Sequence, residues 1–399
     1  MKKILRWSEG RGWAWRLVGL AAVLILGRAS QLAATPVTFV FTSDVHYGIT
    51  RGSFRGAGNV ESRVVDAALV AKINRLPTAV LPKDDGLRAG EVVGPIEFSV
   101  ITGDIANRQE LYPIHVQSAT VSWAQFEETI LKPYALKNAA GETAPLFLVP
   151  GNHDVSDAIG SPSKMVPERD ATSMAEIYNH MLRPAVPLTK DTYDYAKHKI
   201  YYSRDFGGAH CIFLTMWPDS TARAWIDNDL ARVAAATPVF LFCHDQPDLE
   251  AKHLTNPNGK RDINSHDKFE NVVGDVCADG TTVDVETAIE QRALVAWLKT
   301  HRNITGYFHG NSNWHQVYTW TGLEGDLALN TFRADSSMKG KDSGKDEKRL
   351  SFQLITFDVA AQTLTSRECL WNAKGKSDTD DTPVGWGESH TLSIAPRAK

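Results

Sequence analysis

Cysteine is scarce, with four residues in a chain of 399, and no two stand in a C-x-x-C pair. The spacing therefore offers neither a redox pair nor a dense disulfide framework. Cys211 and Cys243 fall inside apolar runs, the usual setting of a buried free thiol, so any disulfide is expected to use Cys277 and Cys369. Long runs of Lys or Arg are also missing and the formal net charge is -4, which disfavours a nucleic-acid surface but leaves room for a small anion held by metal. No internal repeat and no Pro- or Gly-rich linker divides the chain. With 43% hydrophobic and 23% charged residues it is ordinary globular material, enough for one large domain with insertions or two smaller ones.

Apolar runs of membrane-spanning length, roughly 20 residues, are absent too. The longest, LVGLAAVLIL at Leu17 to Leu26, follows Lys2, Lys3, Arg6, Arg11 and Arg16 and precedes the small residues of GRAS and LAAT. That is the layout of an export signal over residues 1–34, with cleavage expected after Ala29 or Ala34 and an uncleaved membrane anchor as the alternative. Removal of this segment takes away six basic residues and one acid, so the exported body carries a net charge of -9.

What is present is an alternation of strands and helices. PVTFVFTSD (Pro36 to Asp44), IEFSVITGD (Ile96 to Asp104), PLFLVPGNH (Pro145 to His153), PVFLFCHD (Pro238 to Asp245) and ITGYFHG (Ile304 to Gly310) read as strands buried on both faces. Helical periodicity fills Val60–Leu76, His115–Tyr134, Met174–Leu182, Ser220–Ala235 and Val285–His301, the last with Asp284 as a cap. Two antiparallel pairs are expected, turning at Gly207-Gly208 and at Ala360-Ala361. The chain is therefore mixed α and β, with two central sheets flanked by helices, in a domain spanning 35–372. Insertions are expected at 82–95 and 252–282, the second as a lid or substrate wall, and residues 373–399 as a polar, mobile tail.

Each buried strand stops at residues able to bind metal: Asp44 and His46, Asp104, Asn152-His153-Asp154, His244, and the run Asn311, Asn313, His315. Strand ends of open α/β sheets face a common crevice, so these side chains are expected to converge on one pocket. A lone D-x-H or G-D is common by chance, but GNHD straight after a buried strand is costly unless its polar groups are engaged.

DVH at Asp44 to His46, GD at Gly103-Asp104, GNHD at Gly151 to Asp154 and the later His244 resemble the calcineurin-like metallophosphoesterases. The resemblance covers about Thr38 to Phe357 and implies a two-sheet α/β sandwich flanked by helices, a four-layer αββα fold. It implies two divalent ions (Mn, Fe, Zn or Mg), Asp44 and His46 holding one, Asn152 and His244 the other, and Asp104 bridging them. His153 would face the substrate as proton donor or stabiliser of phosphoryl charge. The implied chemistry is attack on a phosphate ester by a hydroxide formed at the metal pair. Asp154 and Asn107 are placed to orient ligands from behind, and a small phosphorylated molecule is the implied partner.

The family's closing G-H-x-H is GNSN here, with Asn311 and Asn313 where two histidines stand. Amide oxygens suit harder ions such as Mn, Mg or Ca better than they suit zinc. Three outcomes follow: both asparagines coordinate through oxygen, His309 or His315 replaces a lost ligand, or one metal is absent. The last leaves a weakened enzyme, or a secreted protein that only binds a phosphorylated or carbohydrate ligand. Tyr47, Trp217 and Trp314 are aromatic candidates for stacking on a base or sugar.

Overall fold

The computed structural model describes residues 35–107, 117–155, 171–194, 197–248 and 283–398. The strands in chain order are β1 (Val37–Thr42), β2 (Thr50–Phe54), β3 (Ala57–Glu61), β4 (Phe98–Ile101), β5 (Leu146–Leu148), β6 (Tyr201–Phe206) and β7 (Ala209–Leu214). They continue with β8 (Val239–Phe242), β9 (Ile304–His309), β10 (Gln316–Trp320), β11 (Leu329–Arg333), β12 (Ser351–Asp358), β13 (Thr363–Leu370) and β14 (Gly385–Ser393). The α-helices are α1 (Ser62–Arg75), α2 (Ala119–Phe126), α3 (Thr172–Leu182), α4 (Ser220–Leu230) and α5 (Val283–Thr300).

Two six-stranded sheets form, in the orders β14-β13-β12-β1-β4-β5 and β10-β11-β9-β8-β7-β6. The apolar runs make their centres: β1, β4, β7, β8 and β9 bury every residue, and their neighbours run parallel from β1 through β4 to β5 and from β7 through β8 to β9. Continuous hydrophobic strands require cover on both faces. One face of each sheet meets the other sheet, where Phe39 packs on Phe242 and Phe308 at 5.8 and 5.6 Å and Phe147 on Phe213 at 4.8 Å. Each fully buried ring contributes about 1.5–3 kcal/mol, which makes this inter-sheet layer the main adhesive of the fold. The outer faces carry helices: α3 packs against β5, and α4 against β6, with α5 joined to α4 by Trp297 Nε1 donating to Asp227 Oδ1 at 2.7 Å. The architecture is the expected sandwich, four layers deep.

Several local expectations shift. Val60 belongs to β3, in a hairpin with β2 that turns at Arg55 and Gly56, so α1 starts at Ser62. Ser118 caps α2 by accepting from the Val121 amide, and the helix passes into a π-helical turn at Glu127–Leu131. The described part of α5 already runs at Val283, so Asp284 lies within it instead of capping it.

One larger expectation is corrected, and others lie beyond view. The segment after Asn372 is not a tail: β14 pairs with β13, Asp378 meets the buried Lys72 ammonium at 2.6 Å, and Arg397 donates to the Ile304 and His301 carbonyls. The 82–95 insertion is likewise anchored, its Asp84 accepting two hydrogen bonds from Arg367 of β13 at 2.7 and 2.8 Å. The 252–282 insertion, Cys277 and the N-terminal segment lie outside the described residues, among which no helix is long and apolar enough to cross a membrane.

Cys369, named above for any disulfide, is a free thiol, as are Cys211 and Cys243. Burial pushes all three thiols well up from the ordinary range. The native protein is accordingly expected to leave these three unreacted with a thiol reagent at mildly alkaline pH, and the denatured chain to titrate all four cysteines of the sequence. Rapid native labelling of Cys369, read by peptide mass spectrometry, would contradict the burial.

Candidate metal centre

The carboxyl ends of β1, β4, β5 and β8 and the turn after β9 meet above the sheets. Their approach depends on glycine. A Cβ on Gly151 would strike the Asp104 carboxylate, and one on Gly310 would strike Ser43 Oγ and the Asp44 carboxylate. The backbone is bent where the polar side chains leave it: Asp44, His46, Asp104, Asn311 and Asn313 have φ of 57, 45, 53, 61 and 63°, in the left-handed region. Such residues cost of order 1–3 kcal/mol each and persist only where surrounding contacts hold them. Here the Asp44 amide donates to Gly103 O at 3.0 Å, the His46 amide to Asp104 O at 2.9 Å, and the Asn311 amide to Asp44 Oδ2 at 3.1 Å.

Asp104 is the centre. Its Oδ1 lies 3.4 Å from His244 Nε2, and its Oδ2 lies 3.5 Å from His46 Nε2 and 3.8 Å from His153 Nε2. Burial by itself would raise this carboxyl, but the imidazoles of His244, His153 and His46 outweigh it and hold it well below the usual carboxylate range. His244 moves the other way: burial opposes its charge, yet Asp104, Asp44 and Asp245 push it well above an ordinary histidine. His244 Nδ1 faces the Thr102 carbonyl at 2.7 Å and its Nε2 faces Asn152 Oδ1 at 2.9 Å, the arrangement that orients an imidazole for a metal. Asp154 sits behind, its carboxylate accepting from the amides of Gly151, Ile105 and Ala106 and so tying the two loops together. Burial, then Asp104, raises it to about 7.

The side chains fit divalent ions. Two triads share Asp104: His46, Asp104 and His153, and Asp44, Asp104 and His244, with ligand-type atoms within 4.8 Å of one another. Asp44 Oδ1 and both ring nitrogens of His46 are buried without a hydrogen-bond partner, as is Asn313 Oδ1. Buried polar atoms are nearly always satisfied, and orphans of this chemistry are what ion ligands look like. Asp44 Oδ1 and His46 Nε2 lie 3.6 Å apart, close to the roughly 3.4 Å separating two donors that share one tetrahedral ion at about 2.1 Å.

The asparagine run resolves unevenly. Gln246 Oε1 accepts from Asn311 Nδ2 at 3.2 Å and from Ser312 Oγ at 3.1 Å, and Asn313 Nδ2 donates to Asn311 O at 2.7 Å. Each amide nitrogen is thus engaged by an oxygen acceptor, which orients both amides. The replacement ligands do not come in. His309 is occupied at both nitrogens, by Gly310 O at 3.0 Å and the Tyr318 hydroxyl at 3.1 Å, and burial holds it well below the usual imidazole range. His315, lowered by burial, has Glu368, Glu388, His390 and Arg349 as its charged neighbours, groups of the β13–β14 side. The strand period that put it on one face with Asn311 and Asn313 does not survive the loop's left-handed turns.

Tyr47 and Trp217 are fully buried, Tyr47 with its hydroxyl on Thr129, so neither is open for stacking; Arg333 and Lys341 lie over the Trp314 ring at 3.9 and 4.2 Å.

Three residues that motif reading passed over complete the pocket. Gln246 orients Asn311; Ser336 Oγ donates to Asp44 O at 2.7 Å; and Lys339 Nζ reaches Asn107 Oδ1 at 3.1 Å and His153 Nε2 at 3.3 Å. Gln246 follows His244 closely enough to have been suspected, but the Ser336–Lys339 loop carries no signature.

A family model of calcineurin-like phosphoesterases matches residues 37–274, more than half of the chain. The chain belongs to that family and is a metal-dependent phosphoesterase by class. Among curated protein sequences none matches it. Similar solved structures include a dimetal phosphatase from Danio rerio, 11% identical, covering 90% of this chain and 99% of its own, with a TM-score of 0.46. Another is the phosphopantetheinyl hydrolase of Mycobacterium tuberculosis, 11% identical, covering 76% of this chain and 91% of its own, with a TM-score of 0.32.

Proposed function

We propose that the protein is an exported hydrolase of phosphate esters that works through a dinuclear metal centre. The observation that carries this reading is the single carboxylate, Asp104, whose two oxygens face imidazoles of the two assigned ion sites, Oδ1 towards His244 and Oδ2 towards His46. In the proposed assignment Asp44 and His46 hold one ion, Asn152 and His244 the other, and Asp104 both, with Asn311 and Asn313 contributing amide oxygens. Divalent ions bound there would lower the pKa of a coordinated water and neutralise phosphoryl charge.

The chain's own residues supply the rest. His153 stands at the pocket wall, its side chain 11% exposed where the other two imidazoles at Asp104 are buried, and it is the group assigned to protonate the departing oxygen. Thr102 O and Asp154 keep His244 and the GNHD loop in place. Two amide oxygens in the ligand set favour Mn or Mg over Zn. Export rests on the basic and apolar pattern of residues 1–34, and an N-terminus beginning after Ala29 or Ala34 in protein recovered outside the cytoplasm would bear it out.

Metal analysis with a substrate screen tests the function. The purified protein is expected to retain about two ions per chain and to hydrolyse chromogenic phosphate monoesters or diesters, best with Mn or Mg. No ion retained, and no turnover on adding Mn, Fe, Zn or Mg, would favour the binding-protein alternative.

A further inference from the structure

The turn that carries Asn311 and Asn313 is held by residues outside every ligand motif. Both asparagines lie in the left-handed region, φ 61 and 63°, and such backbone persists only where its surroundings fix it. Trp314, the next residue, is not part of the hydrophobic core, nor among the half-buried apolar side chains packed against it. What lies on its ring is charge: the Arg333 guanidinium at 3.9 Å from the centroid and the Lys341 ammonium at 4.2 Å. A cation within about 6 Å of a ring centroid is attracted by the negative face of the π system, and indole is the strongest of the aromatic partners.

Both cations are anchored independently of the indole. Arg333 ends β11, is 7% exposed, and donates from Nη1 to Gln316 Oε1 at 2.6 Å, so its guanidinium is fixed on the sheet. Lys341 has an exposed side chain, but its amide donates to Asn313 O at 2.6 Å. One residue therefore grips both Asn313 and Trp314. Its loop, between β11 and β12, is tied to the strand end that carries Asp44, because Ser336 Oγ donates to Asp44 O at 2.7 Å. The indole thus shares a frame with Asp44. Within the turn, Asn313 Nδ2 donates to Asn311 O at 2.7 Å, while Asn313 Oδ1 is buried without a hydrogen-bond partner. A buried, unsatisfied oxygen held in one orientation is what an ion ligand requires, and this orientation depends on the turn that Trp314 closes.

Building on the proposed function, we infer that Trp314, with Arg333 and Lys341 on its ring, is a positioning residue that aims Asn313 Oδ1 at an ion of the proposed centre. None of the three is assigned an ion itself; they act through the asparagine turn.

The test uses Trp314→Leu, Trp314→Phe and Lys341→Met in the full protein, stripped of metal and titrated with Mn by calorimetry. Trp314→Leu is expected to weaken one of the two proposed ions by roughly 10- to 100-fold while the other changes much less. Lys341→Met, which removes one of the two cations, should give a loss of about 2- to 5-fold at the same ion. Trp314→Phe, which keeps a ring face, should recover most of the affinity. In an Asn313→Ala background Trp314→Leu should cost nothing further, because residues that act as a unit are not additive. Equal weakening of both ions, a full additional loss in the Asn313→Ala background, or a Phe variant as weak as Leu would overturn the assignment. If Trp314→Leu fails to fold, the exposed Lys341→Met decides, and unchanged Mn affinity there would overturn it. Amide exchange over residues 310–316 of the metal-free protein is read separately and should quicken in Trp314→Leu and Lys341→Met. Should the unmodified protein bind no ion, the proposed function fails, and the exchange rates still decide whether the indole holds the turn.

Discussion

Asp104→Asn is expected to abolish hydrolysis while leaving the fold intact. The carboxylate faces three imidazoles, at 3.4 to 3.8 Å, and its oxygens are divided between them: Oδ1 towards His244, Oδ2 towards His46 and His153. An amide has one oxygen and one NH2, so it cannot serve both sides, and it brings no negative charge to the two ions of the proposed centre. A loss of about 4–5 kcal/mol of transition-state stabilisation, the scale of a vanished metal bridge, corresponds to roughly a 10³- to 10⁴-fold fall in kcat/KM. Metal per chain should fall with it, whereas circular dichroism should not change. The His153 amide, which donates to Asp104 Oδ1 at 2.8 Å, keeps an acceptor in the amide, so the loop has no reason to collapse. Activity within tenfold of the parent would remove Asp104 from the centre of the mechanism.

The second large effect is expected far from the chemistry. Truncation after Asn372 should leave the protein unfolded or severely destabilised. Lys72 is 1% exposed and its ammonium is held by Asp378 at 2.6 Å and by the Thr382 carbonyl at 2.5 Å. Removing one partner of a buried ion pair costs about 3–5 kcal/mol because the other charge stays behind. The same deletion removes β14, which pairs with β13 from Thr363 to Leu370, and leaves that strand as an open edge. Set against a typical total stability of about 5–15 kcal/mol, the sum leaves little. The single change Asp378→Ala separates the parts: a drop of about 3–5 kcal/mol in denaturant unfolding is expected from the charge alone. A soluble, cooperatively unfolding truncated chain would show that the C-terminal strand is dispensable.

The sequence-level reading failed at this segment for a physical reason. Gly385 to Ser393 is polar because β14 is an edge strand with much of its surface in water, so it lacks the apolar signal that marked β1 or β8. The hairpin of β2 and β3 escaped for the same reason, with Thr50 to Phe54 mostly exposed. Cys369 was named as the candidate for any disulfide because nothing local distinguishes a cysteine that pairs from one that packs; its complete burial in β13 is a product of the sheet.

The site divides along the same line. DVH, GD, GNHD and His244 were legible because each is a turn of ligand-type side chains attached to a strong strand, and strand ends of such sheets share one crevice. Their convergence on Asp104 follows from the strand order. Lys339 and His153 are 186 residues apart and Ser336 and Asp44 292 apart, so no spacing in the chain announces either contact. His315 fails in the opposite sense: local period placed it with Asn311 and Asn313, and the loop turned it away.

By itself, then, the sequence determined the two-sheet architecture, the family and the strand ends that carry ligand-type side chains, because hydrophobic periodicity and motif chemistry are properties of neighbouring residues. Only the tertiary structure decided which histidines face the centre, that a lysine from a distant loop stands over it, and that the polar C-terminal segment is a strand. Those outcomes depend on which surfaces the folded chain brings together and on the burial of charges such as Lys72 and Asp378, quantities that no local pattern encodes.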